Sequence, residues 1–298
     1  FNENNTELVD INNLRTEKIK LKFVKMQSFG NDYICFNNMD GKLTCPESLA
    51  INFADRHYGI GGDGIALIEH SDIADAKMRI FNRDGSEGRM AGNVIRCVAK
   101  YLFDNGYVKN KHMTIETLSG VKELTLYTFN GQVGSVSVNM GKVVLDGKLI
   151  PSTLEGESVV ARDITVGGKD YRATLVNVGN PHCVIFCEKV DAVDVANVGP
   201  LFEYAPYFPQ RINAEFVRVV NAKTLKMRVW ERGNGETLAC GTGAAASVVA
   251  AVLNGHCKMD EDITVKVRGG DLIARYSSDG TVTLTGSAKL VFEGTVEF

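Results

Sequence analysis

The chain lacks any apolar run approaching the roughly 20 residues that a membrane span requires. Its longest candidate, from Ala244 to Leu253, is far too short. It also lacks an excess of positive charge. Lys and Arg total 33 against 36 Asp and Glu, a formal net charge of −3, so nucleic acid is not an expected partner. A disulfide framework is missing as well. The seven cysteines, at 35, 45, 97, 183, 187, 240 and 257, are odd in number and irregularly spaced, which points to a reducing cytoplasm. No G-x-S-x-G motif or P-loop is present. The first residues, Phe1-Asn-Glu-Asn-Asn-Thr-Glu, are polar and partly acidic, unlike a secretory signal or a typical transit peptide. Residues 1–20 read as a surface extension, and its start at Phe suggests that earlier residues are missing.

What is present is a soluble globular composition, 44% hydrophobic and 23% charged over 298 residues, enough for two ordinary domains. A shift of 149 residues aligns the chain with itself. Residues 78–107, MRIFNRDGSEGRMAGNVIRCVAKYLFDNGY, match residues 227–256, MRVWERGNGETLACGTGAAASVVAAVLNGH. Identical pairs include Met78/Met227, Arg79/Arg228, Arg83/Arg232, Glu87/Glu236 and Gly92/Gly241. The same shift places Gly30-Asn31 on Gly179-Asn180. Two unrelated units would not share one offset.

Each unit reads as a strand, a polar loop and a helix. The helices begin near Gly92 and Gly241, and Asn105-Gly106 and Asn254-Gly255 suit their ends. The second helix carries no charge and is expected to be buried. Arg96, Lys100 and Asp104 give the first a wet face. Segments such as VGSVSVNM, HCVIFCEKV, DITVKVR, LIARYS and TVTLTG read as strands. The expected fold class is α/β (α+β). It has two pseudo-symmetric domains, each a curved mixed or antiparallel sheet around a central helix, with the active site between them. The expected division is 1–20 as extension, 21–134 plus 287–298 as one half, and 135–286 as the other.

Cys240 stands at the second helix start, where free N–H groups and the helix dipole favour anions and should lower a thiol pKa. The bland alternative, a small buried apolar cysteine, fits poorly beside Glu231, Arg232, Asn234 and Glu236. Two facing helix starts would suit a molecule held between two acid–base groups, one removing a proton from carbon and the other returning it. The equivalent of Cys240 in the first half, however, is Ala91.

Several motifs, in order, resemble the diaminopimelate epimerase family. They are Lys25-Met-Gln-Ser-Phe-Gly-Asn-Asp-Tyr33, Asp55-Arg-His-Tyr-Gly-Ile-Gly-Gly-Asp-Gly64, Phe81-Asn-Arg-Asp-Gly-Ser-Glu87, Met90-Ala-Gly-Asn93, Val178-Gly-Asn-Pro-His-Cys183, Ile212-Asn-Ala-Glu-Phe216 and Glu231-Arg-Gly-Asn-Gly-Glu-Thr-Leu-Ala-Cys-Gly-Thr-Gly243. The resemblance runs from about Phe23 to Phe298. It implies a cofactor-free isomerase of LL- and meso-diaminopimelate in lysine supply, without pyridoxal phosphate or metal, and a homodimer. It implies that Asn31, Asn82, Asn180 and Asn213 contact the substrate. Glu231 and Arg232 would meet an amino group and a carboxylate, and Gly92-Asn93 and Gly241-Thr242 would form the anion-binding helix starts. His182 and Glu231 would support the thiols, and Cys240 would be one of them.

The chain departs from the family at three places. Members usually read Met-Cys-Gly-Asn where this chain has Met90-Ala91-Gly92-Asn93; Val94 replaces a small residue; and Gly64 stands where some members carry a substrate-binding Gln. Ala91 is open to three readings: an engineered trap, natural variation of chemistry or substrate, or a protein that binds without turnover. Val94 favours natural variation. Cys97, more than a turn further on, is expected to be packed rather than to replace the missing thiol. Rivals to the diaminopimelate reading are a histidine or lysine racemase of the same fold and a non-catalytic amino-acid binder.

The G-x-G-x-x-G match at Gly59–Gly64 has helix before it (49–58) and strand after it (65–68), the reverse of a dinucleotide site. Cys183 and Cys187 lack a second ligand pair for zinc, and core packing is the expected role.

Overall fold

The computed structural model describes residues 19–298. Residues 1–18 of the expected extension lie outside the described residues, and Lys20 already belongs to a strand, paired with Glu297.

The first half runs β1 (Lys20–Ser28), β2 (Asn31–Asn37), α1 (Pro46–Phe53), β3 (Gly64–Glu69), β4 (Ala76–Asn82), β5 (Glu87–Gly88), α2 (Gly92–Asp104), β6 (His112–Thr117), β7 (Gly120–Phe129) and β8 (Gln132–Lys142). After β9 (Arg162–Val166) come β10 (Lys169–Asn177), β11 (Pro181–Phe186), α3 (Val195–Glu203), β12 (Asn213–Asn221), β13 (Thr224–Glu231), β14 (Gly235–Glu236) and α4 (Gly241–Leu253). The chain closes with β15 (Ile263–Val267), β16 (Gly270–Tyr276), β17 (Thr281–Ser287) and β18 (Lys289–Glu297).

The 149-residue repeat is written into the pairing. β1 and β10 start at 20 and 169, α2 and α4 at 92 and 241. Parallel β2–β3 is matched by parallel β11–β12, and parallel β4–β6 by parallel β13–β15. An Arg–Glu pair recurs too, Arg79–Glu87 at 2.7 Å and Arg228–Glu236 at 2.8 Å. β8 and β17, equivalent strands, pair antiparallel and join the halves. β18 pairs with β1 and β9 with β10, so the strand that follows each half's last hairpin completes the other half's sheet.

Each half wraps its sheet around one buried helix. α2 packs Val98, Ala99 and Leu102 against Met26, Met78, Ile115 and Val136. α4 is buried from Gly243 through Ala251, as expected for a helix with no charged side, and its alanines let Leu272, Ala274 and Val282 approach closely. Fully burying a Val or Leu here contributes about 1.5–3 kcal/mol. Gly106 and Gly255 end the two helices with the same φ of 75°, in the left-handed region that glycine adopts without cost.

Three expectations change. The first-half helix expected over 49–58 runs from Pro46 to Phe53, opened by a proline in its first turn. A second outer helix, α3, covers Cys183, Ile185 and Phe216; the sequence pattern did not show it because Pro200 interrupts its interior. α2 also has no continuous wet face: Arg96 is 0% exposed. Only Lys100 and Asp104 pair on that side, at 2.6 Å. Cys183 lies in an apolar core, and Cys97 is buried beside α2 with its pKa pushed by burial up to about 12.

Candidate active site

The repeat brings two helix starts to one cleft of about 1280 Å³ between the halves. Ala91 caps α2 with φ −138° and ψ 120°; Cys240 caps α4 with φ −121° and ψ 112°. Their backbones are thus nearly superposable, and both lead with a glycine. A Cβ built on Gly92 or Gly241 would lie 3.9 Å or 2.8 Å from one atom, Leu284 Cδ2 on β17. Both helix starts therefore converge on the same side chain, and at Gly241 any side chain would strike it.

Cys240 Sγ accepts the Gly243 N–H at 3.3 Å and lies 3.4 Å from Thr242 Oγ1. Sequence reasoning expects a lowered thiol pKa at this point. The surroundings act the other way. Burial pushes the thiol well up, the Glu231 and Glu215 carboxylates push further, and the Thr242 and Gly243 contacts only partly offset them.

Behind Cys240 is a buried polar chain. His182 Nδ1 is 2.7 Å from Glu215 Oε1, and His182 Nε2 is 2.9 Å from Asn180 Oδ1. His182 does not line the cleft; it holds Asn180, which does. Glu215 was the member that sequence reasoning passed over. Its signal was a lone carboxylate in the otherwise apolar run Ala214–Val217, where a buried charge demands partners. Glu231 is bound by Thr237 Oγ1, and burial raises its pKa.

On the opposite half, Asn31 Nδ2 donates to Asp63 Oδ2 at 2.7 Å. Arg56 bridges Asp63 (3.0 Å) and Asp32 (2.6 Å), and Lys25 reaches Asp32 (2.7 Å) and the Gly61 carbonyl. The glycine-rich segment is therefore a clamp on the Asn31 loop, with α1 before it and β3 after it, and has no dinucleotide geometry. Asp32 is buried enough to disfavour its charge, yet the hydrogen bonds and charges of Arg56 and Lys25 prevail and hold it at about 2.

Asn31, Asn82, Gly92, Asn93, Asn180, Glu231, Arg232, Gly241 and Thr242 all line the cleft, with Ala91 and Cys240. Asn213 does not. Its Nδ2 donates to the Pro181 carbonyl at 2.8 Å and its Oδ1 accepts the Arg232 N–H at 2.9 Å, so it fixes the backbone of Arg232 while each end keeps one further hydrogen-bonding position. The Arg232 guanidinium is exposed and, among the described residues, bonds only the Gln210 carbonyl, at 3.0 Å, leaving donors for a carboxylate.

The three departures have structural reasons or companions. A Cβ on Gly64 would sit 2.2 Å from the Phe81 carbonyl oxygen, so no Gln fits that backbone. Val94 is the equivalent of Gly243, and a Cβ on Gly243 would stand 3.3 Å from both Cβ and Sγ of Cys240. A thiol at the cap thus favours a small residue three positions on, and Val94 follows an alanine at 91.

The family model of diaminopimelate epimerase matches residues 23–145 and 174–291. Over 278 residues the chain is 47% identical to a diaminopimelate epimerase of Acetivibrio thermocellus, covering 93% of this chain and 99% of that protein. It is 45% identical to one of Methanococcus maripaludis, covering 93% and 100%. Among solved structures, a hydroxyproline epimerase from Agrobacterium vitis superposes with a TM-score of 0.66 at 13% identity, covering 93% of this chain and 91% of that one; at that identity the likeness is one of fold.

Proposed function

This chain belongs to the diaminopimelate epimerase family and is an isomerase of the epimerase type, and from that premise we propose that its cleft holds LL- or meso-diaminopimelate, with Cys240 as the acid–base thiol on one face of the α-carbon and position 91 as the vacant place of the other. The observation that carries this reading is the pair of superposable helix caps, Ala91 and Cys240, opening on one polar cleft. Free N–H groups of Gly92-Asn93 and Gly241-Thr242 suit the carboxylate at the reacting centre, because a helix start attracts anions. The exposed Arg232 fork and Glu231 suit a second carboxylate and an ammonium, the far amino-acid centre. Free histidine or lysine has no second carboxylate for Arg232, which favours diaminopimelate over a racemase of those amino acids.

With one thiol, exchange of the α-proton proceeds from the Cys240 face alone and inversion is slow or absent. Deuterium wash-in from D₂O, followed on LL-, meso- and DD-diaminopimelate, tests this. Rapid inversion by the chain as it stands would require another second acid and would sink the reading. The pairing of Ala91 with Val94 also favours a second reading, a ligand binder without turnover; binding with no wash-in at any isomer would select it.

A further inference from the structure

Among the described residues two buried side-chain polar atoms have no hydrogen-bond partner, Arg96 Nη1 and Glu215 Oε2. Both residues are 0% exposed. Each lies against the first turn of one of the two central helices. A Cβ built on Gly92 would be 3.8 Å from Arg96 Nη1, and one built on Gly243 would be 2.8 Å from Glu215 Oε1. The repeat gives neither charge a counterpart. Arg96 corresponds to Ala245 and Glu215 to Ala66, both fully buried. The pseudo-twofold that equates the two helix starts is therefore broken at one level, by a guanidinium beneath α2 and a carboxylate beneath α4.

Neither charge is spent on a salt bridge of the usual kind. Arg96 meets Ser28 Oγ at 3.1 Å, the Asn93 side-chain oxygen and the Phe29 ring at 5.6 Å, with no carboxylate partner among the described residues. Glu215 gives one oxygen to His182 Nδ1 and leaves the other bare. Burying an unpaired charge is costly. Two buried groups of opposite sign, Arg96 without a carboxylate partner and Glu215 with only His182 beside it, mark a field across the cleft.

Resting on the proposed thiol chemistry, we propose that Arg96 and Glu215 are positioning residues that, once both thiols are present, make the face at position 91 the proton-removing side of the resting enzyme and the face at Cys240 the proton-returning side, whereas in the chain as it stands Cys240 alone must take the proton. With a cysteine placed at 91, beside Gly92 whose built Cβ lies 3.8 Å from Arg96 Nη1, that thiol rests as thiolate and takes the α-proton, the C–H electron pair remaining on the substrate as its carbanion. Cys240 then gives its S–H proton to the opposite face, which leaves a thiol at 91 and a thiolate at 240, and solvent exchange resets the pair. The groups facing Cys240 agree: Glu231 from β13, Glu215 from β12 and Thr242 from its own turn, with His182 from β11 behind them. On the first half the cleft is lined by Arg83, Arg89 and Lys122 against Asp55, Asp63 and Asp84, so Arg96 is the buried charge that distinguishes this side.

Iodoacetamide alkylation of the whole chain, resolved by peptide mass spectrometry across pH, reads this without any turnover. In the chain as it stands, Glu215→Gln should speed Cys240 labelling at pH 7 by about tenfold, one pKa unit of thiolate, while exposed Cys45 is unchanged. In an Ala91→Cys/Val94→Gly background, the restored thiol should label at lower pH than Cys240. Adding Arg96→Met should slow it about tenfold, and Arg96→Lys, which keeps the charge, should restore it. Co-titration of the two thiols, or labelling unmoved by Glu215→Gln and Arg96→Met, overturns the assignment. If that background epimerises while its thiols co-titrate, the charge assignment fails and the proposed function stands. If the thiols titrate apart and nothing epimerises, the proposed function fails instead.

Discussion

Restoring a cysteine at position 91 should not restore full inversion unless Val94 is changed with it. The reasoning is steric and comes from the intact half. At α4 the capping thiol lies over Gly243, and a single Cβ there would already be 3.3 Å from Sγ, with Glu215 Oε1 at 2.8 Å. At α2 the same place holds the Val94 side chain, only 1% exposed and packed in the first core. Overpacking of this kind costs about 1–3 kcal/mol, which as a rate is roughly 5- to 150-fold. A correctly placed general acid or base contributes about 10²- to 10⁴-fold. Ala91→Cys alone should therefore recover only part of that gain, and Ala91→Cys/Val94→Gly the whole of it. Val94→Gly by itself should gain nothing in rate and lower stability by about 2–4 kcal/mol, since it removes a buried side chain and places glycine in a helix. The assay is inversion of LL-diaminopimelate with α-deuterium incorporation, on the parent, both single variants and the double, read as a double-mutant cycle. A single Ala91→Cys variant as fast as the double would refute the steric argument. A double variant with no inversion would refute the two-thiol reading itself.

Asp32 is held at about 2 against an ordinary 3.8, so its contribution to stability is fully present above about pH 4 and is lost as pH falls through 2. Asp32→Asn should cost about 2 kcal/mol at pH 7 and flatten the denaturant midpoint between pH 4 and 2; an unchanged acid limb would place the clamp's stability elsewhere. We propose β18 as the interface of the homodimer that the sequence resemblance implies, since it pairs with β1 on one side and carries exposed Leu290, Val291 and Phe292. Light scattering should give twice the chain mass, and Val291→Asp should lower it to one; a monomer without the substitution would remove β18 as the interface.

The sequence was enough for the repeat, because an offset is counted without knowing any structure. Cys240 and Ala91 followed at once as equivalent caps, since helix starts announce themselves through glycine and polar loops ahead of an apolar run. The burial of α4 was equally plain from its lack of charge. The wet face given to α2 was mistaken at Arg96 for a physical reason. Periodicity places a residue on a side of a helix, but it cannot tell whether water or another strand covers that side, and here Ser28, Phe29 and Gly286 do. The same limit governs Asn213, whose motif does not show that its amide also ties the Pro181 carbonyl to the Arg232 N–H. The fate of Cys240 was decided the same way. A helix start taken alone argues for a thiolate, and the nearness of Glu231 in the sequence does not by itself say that its carboxylate meets the sulfur. Strand β12, remote from α4 in the chain, and the end of β13, just before the loop to α4, bring Glu215 and Glu231 against the sulfur and reverse the sign. Local rules determined which residues stand at the two helix starts; only the tertiary structure, by choosing which distant charges are shut away from water beside them, decided that the two starts are not alike.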